Sequence, residues 1–138
     1  SIEFSAALRL ASNITGDKRE RWVNSVLAML DLEPIENDLI GMMGAGGMSF
    51  EQRKRVSIGV ELAANPSILF LDEPTTGLDS LAAQSLIRNI RKIAASGRAV
   101  VCTIHQPSTV IFHAFDSLLL LKRGGQTVFF GELGENAT

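Results

Sequence analysis

Two adjacent carboxylates follow a short apolar run near the middle of the chain. The run from Ile68 to Leu71 is typical of a parallel strand buried on both faces, and Asp72 and Glu73 come directly after it. Open α/β sheets bind ligands at the carboxyl ends of their strands, and adjacent strand residues point to opposite sides. We therefore expect one acid to hold Mg²⁺ and the other to deprotonate a water that attacks a γ-phosphate. A plain acidic turn in solvent is the alternative for this pair alone.

A histidine follows the next predicted strand, which covers residues 99–104. If this strand runs parallel to a strand at 67–72, and a helix at 80–95 joins them, the crossover brings His105 and the two carboxylates to one edge of one sheet. An imidazole at that edge can donate a hydrogen bond to a γ-phosphate oxygen. A packed structural histidine is the alternative. Cys102, inside the same strand, is predicted to be a small core residue.

A glycine-rich stretch at 44–47 leads into a predicted helix that runs to about Ala64. Ser49 is the predicted N-cap, and Gln52 three residues later completes a capping box. Glycines before a helix N-terminus leave N–H groups and the positive end of the helix dipole open to an anion, which favours a phosphate-facing surface. An ordinary helix start gives the same pattern. The basic cluster 53–55 fits either a solvated helix face or support for this segment.

The remaining pattern predicts two helices before the glycine-rich stretch and two strands near the end. The helices cover residues 1–10 and about 17–32, and Asp17 and Glu20 give the second helix a capping pattern. The apolar residues of that second helix recur at steps of three and four, and they are Trp22, Val23, Val26, Leu27 and Leu30. The strands cover 117–121 and 126–130, are joined by a hairpin-like turn, and are expected at the distal edge of the sheet.

Taken together, the motifs resemble those of an ABC-type nucleotide-binding domain, and the resemblance covers nearly the whole chain. Four segments carry it: the signature (Met48–Gln52), Walker B (Ile68–Glu73), the D-loop (Gly77–Asp79) and the H-loop (His105). Further stretches resemble the G subfamily, most closely the full-length pleiotropic drug resistance transporters and their second, C-terminal nucleotide-binding domain. These stretches are Gln52–Arg55, Val60–Leu62, Thr103–Ser108 and Leu121–Gln126.

The resemblance implies an α/β fold that forms the C-terminal part of a P-loop NTPase domain. Its sheet would be mainly parallel and flanked by helices, and part of a helical subdomain would precede it. The whole chain, 1–138, would be one partial domain. Its helical and signature region would occupy 1–65, and Walker B, the D-loop, the H-loop and the distal strands would occupy 66–138.

The resemblance also implies the roles of individual residues in an ATPase that drives export. Glu73 and His105 would be catalytic, and Asp72 would bind Mg²⁺. The residues that would bind the ATP held by a partner domain are Met48, Ser49, Gln52 and Asp79. ATP and Mg²⁺ are the implied ligands. The implied partners are a second nucleotide-binding domain, arranged head to tail, and the transmembrane domain of the same transporter, with no nucleic acid. Such a domain lies at the cytoplasmic face of a membrane as part of an integral membrane protein.

Two departures from the general ABC pattern bear on these expectations. Phe50 and Glu51 replace the two glycines of the usual signature. A carboxylate about 4 Å from a phosphate charge costs on the order of 4 kcal/mol at an effective dielectric near 20, unless Glu51 turns instead to Arg53 or Arg55. The second departure is that no G-x-x-x-x-G-K-[ST] phosphate cradle occurs in the sequence. We therefore expect a fragment of a longer protein, inactive by itself, that lacks the Walker A region of its parent ATPase.

Composition agrees with part of a globular α/β domain. The chain has 138 residues, of which 46% are hydrophobic. Its formal net charge of −2 provides no positive electrostatic potential that would attract nucleic acid. One cysteine argues against a disulfide scaffold and for a reducing compartment. The alternative function is a fragment of a soluble, non-transporter ABC ATPase of DNA repair or translation. A third class, a structural or interaction module without turnover, fits the isolated chain.

Overall fold

The computed structural model describes residues 1–41 and 47–134, and the chain divides into two compact units, 1–105 and 106–138. The predicted phosphate-facing loop at 44–46 lies outside the described residues, although Gly47 is included. In chain order the elements are α1 (Ile2–Arg9), α2 (Gly16–Met29), a 3₁₀ turn (Glu33–Ile35), α3 (Phe50–Leu62), β1 (Ile68–Asp72), α4 (Ser80–Ala95), β2 (Ala99–Thr103), α5 (Thr109–Phe112), β3 (Ser117–Leu121) and β4 (Thr127–Glu132).

Helices form the core of the first unit. Helices α2, α3 and α4 contact one another, α1 packs on α2 and α3, and α4 contacts β2. The largest apolar side chains that are almost completely buried come from α2 and its end, α3 and α4, and they are Val26, Leu30, Leu32, Leu62, Leu86 and Ile93. Each stabilises the fold by about 1.5–3 kcal/mol. The predicted apolar face of α2 thus supplies part of the interior, together with residues of α3 and α4.

The two strands of the first unit are parallel, as the crossover argument predicts. Ile68 pairs with Ala99 and Asp72 pairs with Thr103, and α4 lies between the strands in the chain. The expectation that β1 is buried on both faces is wrong. Leu69 is 4% exposed, whereas Ile68 and Phe70 are 52% and 73% exposed. Within the described part of this unit, only the face of β1 that carries Leu69 is covered.

Helix α2 begins and ends differently from the sequence pattern. The predicted capping by Asp17 and Glu20 is wrong, since the helix starts at Gly16 with Thr15 as N-cap and no side-chain cap bond. It stops at Met29 because Asp31 has a φ of 52°, which turns the chain away from the helix. The hydrogen bond from Lys92 Nζ, 2.7 Å long, fixes Asp31 against α4 and holds the pKa of its carboxyl below the ordinary value.

The second unit contains the predicted β-hairpin. Strands β3 and β4 pair antiparallel, from Ser117 opposite Glu132 to Leu121 opposite Thr127, with an irregularity between Leu120 and Leu121. The turn between them uses two glycines with positive φ, 92° at Gly124 and 77° at Gly125. The second strand is therefore shifted by one to two residues from its predicted bounds. Within the described residues, β3 and β4 form a two-stranded sheet separate from β1 and β2, so the expectation that they form the distal edge of one sheet is wrong. The mixture of helices and strands agrees with the predicted α/β class.

Candidate nucleotide-binding site

The carboxyl ends of β1 and β2 lie side by side. Asp72 is the last residue of β1, and its partner in the parallel ladder is Thr103, the last residue of β2. Glu73 follows Asp72 directly, and His105 comes two residues after Thr103. The side chains of Asp72, Glu73 and His105 are all accessible to solvent. The predicted parallel crossover is confirmed, and it leads both acids and the segment that ends in His105 to one edge of the sheet.

A threonine joins the two acids at this edge. Thr103 Oγ1 donates to Asp72 Oδ1 at 2.5 Å and accepts the Glu73 N–H at 2.9 Å. Thr76 Oγ1 donates to Glu73 Oε2 at 3.0 Å. Sequence reasoning missed both threonines. No local sequence signal points to Thr103, because its place opposite Asp72 depends on the observed register of the two strands.

Glu73 stands in an uncommon backbone conformation. Its φ is 44°, in the left-handed region that non-glycine residues seldom adopt. The turn that follows is closed by a hydrogen bond of 3.2 Å from Thr76 N–H to Glu73 O, and Gly77 continues it with a φ of 80°. Uncommon backbone conformations of this kind are frequent at functional sites. Because of this turn, the Glu73 side chain points in a different direction from the one it would have in a continuing strand.

The signature segment is built around the predicted capping box. Ser49 Oγ accepts the Gln52 N–H at 3.1 Å, and Gln52 Oε1 accepts the Ser49 N–H at 2.7 Å. Both predicted ligand side chains therefore cap α3 itself. Met48 is only 6% exposed, so its side chain belongs to the core.

Glu51 is turned toward its own helix. Its carboxylate forms an ion pair with Arg55 one turn later, and the two side chains are 27% and 13% exposed. The Arg55 guanidinium also donates to Ser85 Oγ at 3.0 Å and to Leu30 O at 3.5 Å. Of the alternatives for Glu51, the structure has the one in which Arg55 neutralises it. The repulsion that its charge would exert on a phosphate is correspondingly reduced.

The D-loop carboxylate also caps a helix. Asp79 is the N-cap of α4, and its Oδ1 accepts the N–H groups of Leu81 and Ala82, each at 2.9 Å. Its other oxygen is free of these bonds. Gly77 lies against Phe50, because a Cβ built at Gly77 would be 3.1 Å from the Phe50 ring. The D-loop and the start of α3 are thus direct neighbours.

The available donors fit a magnesium ion held together with phosphate groups. Mg²⁺ in such sites takes one or two carboxylates and completes its shell with phosphate oxygens and waters. Asp72 offers an accessible carboxylate with one oxygen fixed by Thr103. Among the described residues, no group of three His, Cys, Asp or Glu side chains could hold a metal by itself. Burial raises the pKa of Cys102 to about 11, which leaves its thiol protonated and without a nucleophilic role.

Comparison with known proteins identifies a family for this chain. Residues 3–76, more than half of it, match the family model described as ABC transporter. Two rice relatives, ABC transporter G family members 45 and 48, are 53% and 52% identical over 97% and 99% of this chain. The Arabidopsis thaliana ABC transporter G family member 42 is 51% identical over the full chain. The chain spans only about a tenth of the length of these relatives.

Solved structures show the same fold. An ATP-binding cassette of an ABC transporter in its ADP conformation matches with a TM-score of 0.68 and 23% identity, over 86% of this chain and 44% of that one. A bacterial ABC transporter cassette solved as a dimer matches with a TM-score of 0.66 and 22% identity, over 96% of this chain and 55% of that one. No helix in the described ranges is both long and apolar enough to cross a bilayer. On the match of its sequence, this chain belongs to the ABC transporter family.

Proposed function

We propose that this chain is the part of a nucleotide-binding domain that hydrolyses ATP, and that hydrolysis in the full-length protein drives export across a membrane. One observation carries the proposal. Asp72 pairs with Thr103 at the ends of parallel strands, so two accessible carboxylates and the short segment from Thr103 to His105 lie at one edge of the sheet. The similarity to G family transporters along nearly the whole chain supports the same function.

Glu73 is the proposed general base. The oxygen of a water attacks the γ-phosphorus, the bond from that phosphorus to the bridging oxygen of ADP breaks, and the water proton passes to the Glu73 carboxylate. Thr76 and the turn at Glu73 orient this carboxylate. His105 donates a hydrogen bond to a γ-phosphate oxygen. Asp72 would hold Mg²⁺, and the ion would supply positive charge that offsets the charge of the phosphates.

The signature end of α3 and the D-loop are proposed to serve a second ATP. In this arrangement two nucleotide-binding domains meet head to tail, and Met48, Ser49, Gln52 and Asp79 approach the nucleotide held by the partner domain. Support comes from the N-terminus of a 13-residue helix, whose dipole and first N–H groups favour an anion. The sequence features given above further favour the second, C-terminal nucleotide-binding domain of a full-length pleiotropic drug resistance transporter.

The transmembrane domain of the same protein is the other proposed partner. Helix α1 leaves Phe4 and Leu8, one turn apart, each 69% exposed. A cavity of about 620 Å³ lies beside α1 and α2, and its lining combines apolar side chains such as Ile2 and Leu27 with several acids, among them Glu20. Exposed apolar side chains that adjoin on one helix face are typical of a docking surface. This contact would place the chain at the cytoplasmic face of the membrane.

The test uses the full-length protein, because the chain itself contains no phosphate cradle. Glu73→Gln keeps the shape of the side chain and removes the base, so the steady-state ATPase rate should fall by about 10²–10⁴-fold while ATP stays bound. Glu61→Gln is the matched control, since Glu61 lies on α3 in an exposed ion pair with Arg9. Equal rates for the two variants in reconstituted membranes would contradict the assignment of Glu73 as the base.

A further inference from the structure

Lys54 connects the signature helix to the turn that carries the proposed base. It lies in the second turn of α3, five residues after Ser49. Its Nζ donates to Thr76 O at 2.7 Å and to Pro74 O at 2.9 Å, and Glu73 O lies at 3.4 Å. We propose that Lys54 is a positioning residue that couples the signature segment to Glu73 by binding these carbonyl groups.

The chemistry of an ammonium group suits this task. It has three N–H donors and no acceptor, and here all three recorded partners are main-chain oxygens of one turn. Hydrogen bonds from a charged donor are shorter and stronger than neutral ones. Carbonyl oxygens that converge on one point repel one another unless a cation lies between them. Lys54 therefore stabilises the curvature of the turn as well as its distance from α3.

The turn needs such support because its backbone is strained. The strain lies at Glu73, whose φ of 44° is in the left-handed region that only glycine adopts without cost, as Gly77 does at 80°. Without the ammonium, the Glu73 peptide could relax toward the more common extended conformation. Its carboxylate would then leave the position that Thr76 helps to fix. The effect of Lys54 on chemistry would act through Glu73, since Lys54 itself donates to none of the reacting groups.

A second contact joins the same two segments. Phe50 is the first residue of α3, and its ring lies 5.4 Å from the Lys54 ammonium. The same ring lies against Gly77, where an added Cβ would approach it to 3.1 Å. The start of α3 and the turn at 73–77 thus touch through a cation, an aromatic ring and a glycine. A shift of one segment against the other would break contacts of all three kinds.

The consequence concerns two nucleotides. This inference rests on the proposed function, in which Glu73 acts on the ATP of its own domain and the signature segment meets the ATP of the partner. Engagement of the partner nucleotide by Ser49 would, through Lys54, hold Glu73 in its catalytic position. Loss of Lys54 should lower turnover and leave the affinity for ATP nearly unchanged, because the affinity depends on groups outside this turn.

The test compares three variants of the full-length protein in reconstituted membranes. Lys54→Met keeps the length of the side chain and removes the charge, and we expect kcat to fall about tenfold or more with KM for ATP within about twofold. Lys54→Arg keeps the charge and should restore at least half of the lost rate on a logarithmic scale. Lys18→Met is the control, because Lys18 is exposed on α2 and has no recorded side-chain bond in the described residues.

A double-mutant cycle separates positioning from general destabilisation. In a Glu73→Gln background, Lys54→Met should leave the residual rate unchanged, because the residue through which it acts is already disabled. An unchanged kcat in Lys54→Met alone, or a further tenfold loss in the Glu73→Gln background, would overturn the proposal. If Glu73→Gln itself retains full turnover, the proposed base is wrong, whatever the Lys54 variants do. All rates are normalised to folded protein.

Discussion

The start of α3 and the edge of the β1–β2 sheet both carry predicted site residues, yet their polar side chains are satisfied differently. At the helix start, Ser49 and Gln52 bond each other, and Glu51 is paired with a largely buried Arg55. At the sheet edge, Asp72 and Glu73 are accessible to solvent, and each side chain has a threonine as its recorded partner. At the helix start, these polar side chains have their partners within the fold. At the sheet edge, carboxylate oxygens remain available to a ligand.

The comparison separates stability from activity. Substitutions at the helix start remove internal partners, so they should lower the free energy of unfolding. Substitutions at the sheet edge remove groups that face outward, so they should lower turnover with little change in stability. Trp22, the one tryptophan of the chain, can report unfolding, because its Nε1 donates to Ala63 O at 3.1 Å, where α3 ends.

The largest effect on stability is expected for Arg55→Leu. This change leaves the Glu51 carboxylate, 27% exposed, without its partner and removes the bond to Ser85. We expect the free energy of unfolding to fall by about 2 kcal/mol, between the values for exposed and fully buried pairs. Urea unfolding followed by Trp22 fluorescence measures it. Arg53→Leu is the matched control, and an equal loss in both variants would remove the distinction between the two arginines.

A smaller effect is expected for Ser49→Ala. The variant loses the cap on the Gln52 N–H, which should cost about 1 kcal/mol in the same urea titration. Ser57→Ala is the control, since Ser57 is exposed within the same helix and should change stability by less than about 0.5 kcal/mol. If Ser49→Ala were as harmless as Ser57→Ala, the capping box would not contribute to the helix start.

The smallest effect on stability is expected for Glu73→Gln. Glutamine can still accept the hydrogen bond of Thr76, and the position is exposed, so the free energy of unfolding should change by less than about 0.5 kcal/mol. The variant with the largest expected loss of turnover would then be almost neutral for folding. A loss above about 1 kcal/mol would show that the sheet edge contributes to stability as much as the helix start does, and the comparison would fail.

Local sequence signals predicted much of this architecture. The capping box lies within four residues, and the parallel pairing of β1 with β2 follows from two apolar runs joined by a helix. The contacts of Thr103 and Lys54 could not be predicted in the same way. Thr103 meets Asp72 across 31 residues, and Lys54 meets Pro74 across 20, so each contact depends on how separate elements pack.

The burial of β1 was mispredicted for a related physical reason. An apolar run shows that a strand can be covered on both faces, but it does not show which element covers each face. Phe70 and Leu69 look alike in sequence, yet one is 73% and the other 4% exposed. The choice of Arg55 over Arg53 as the partner of Glu51 is also geometric, because only residues one helical turn apart face each other. The four-residue spacing between Glu51 and Arg55 already indicated this pairing in the sequence.

The protonated thiol of Cys102 makes the chain convenient for labelling. Cys102 is the only cysteine, and a pKa of about 11 leaves roughly one molecule in ten thousand as thiolate at pH 7. A cysteine introduced at an exposed site such as Ser57 would ionise far more readily and would capture a maleimide dye first. Cys102 can therefore stay in place, because it reacts little with the dye. Fluorophores on the helices can then follow movements of α3 without a cysteine-free variant.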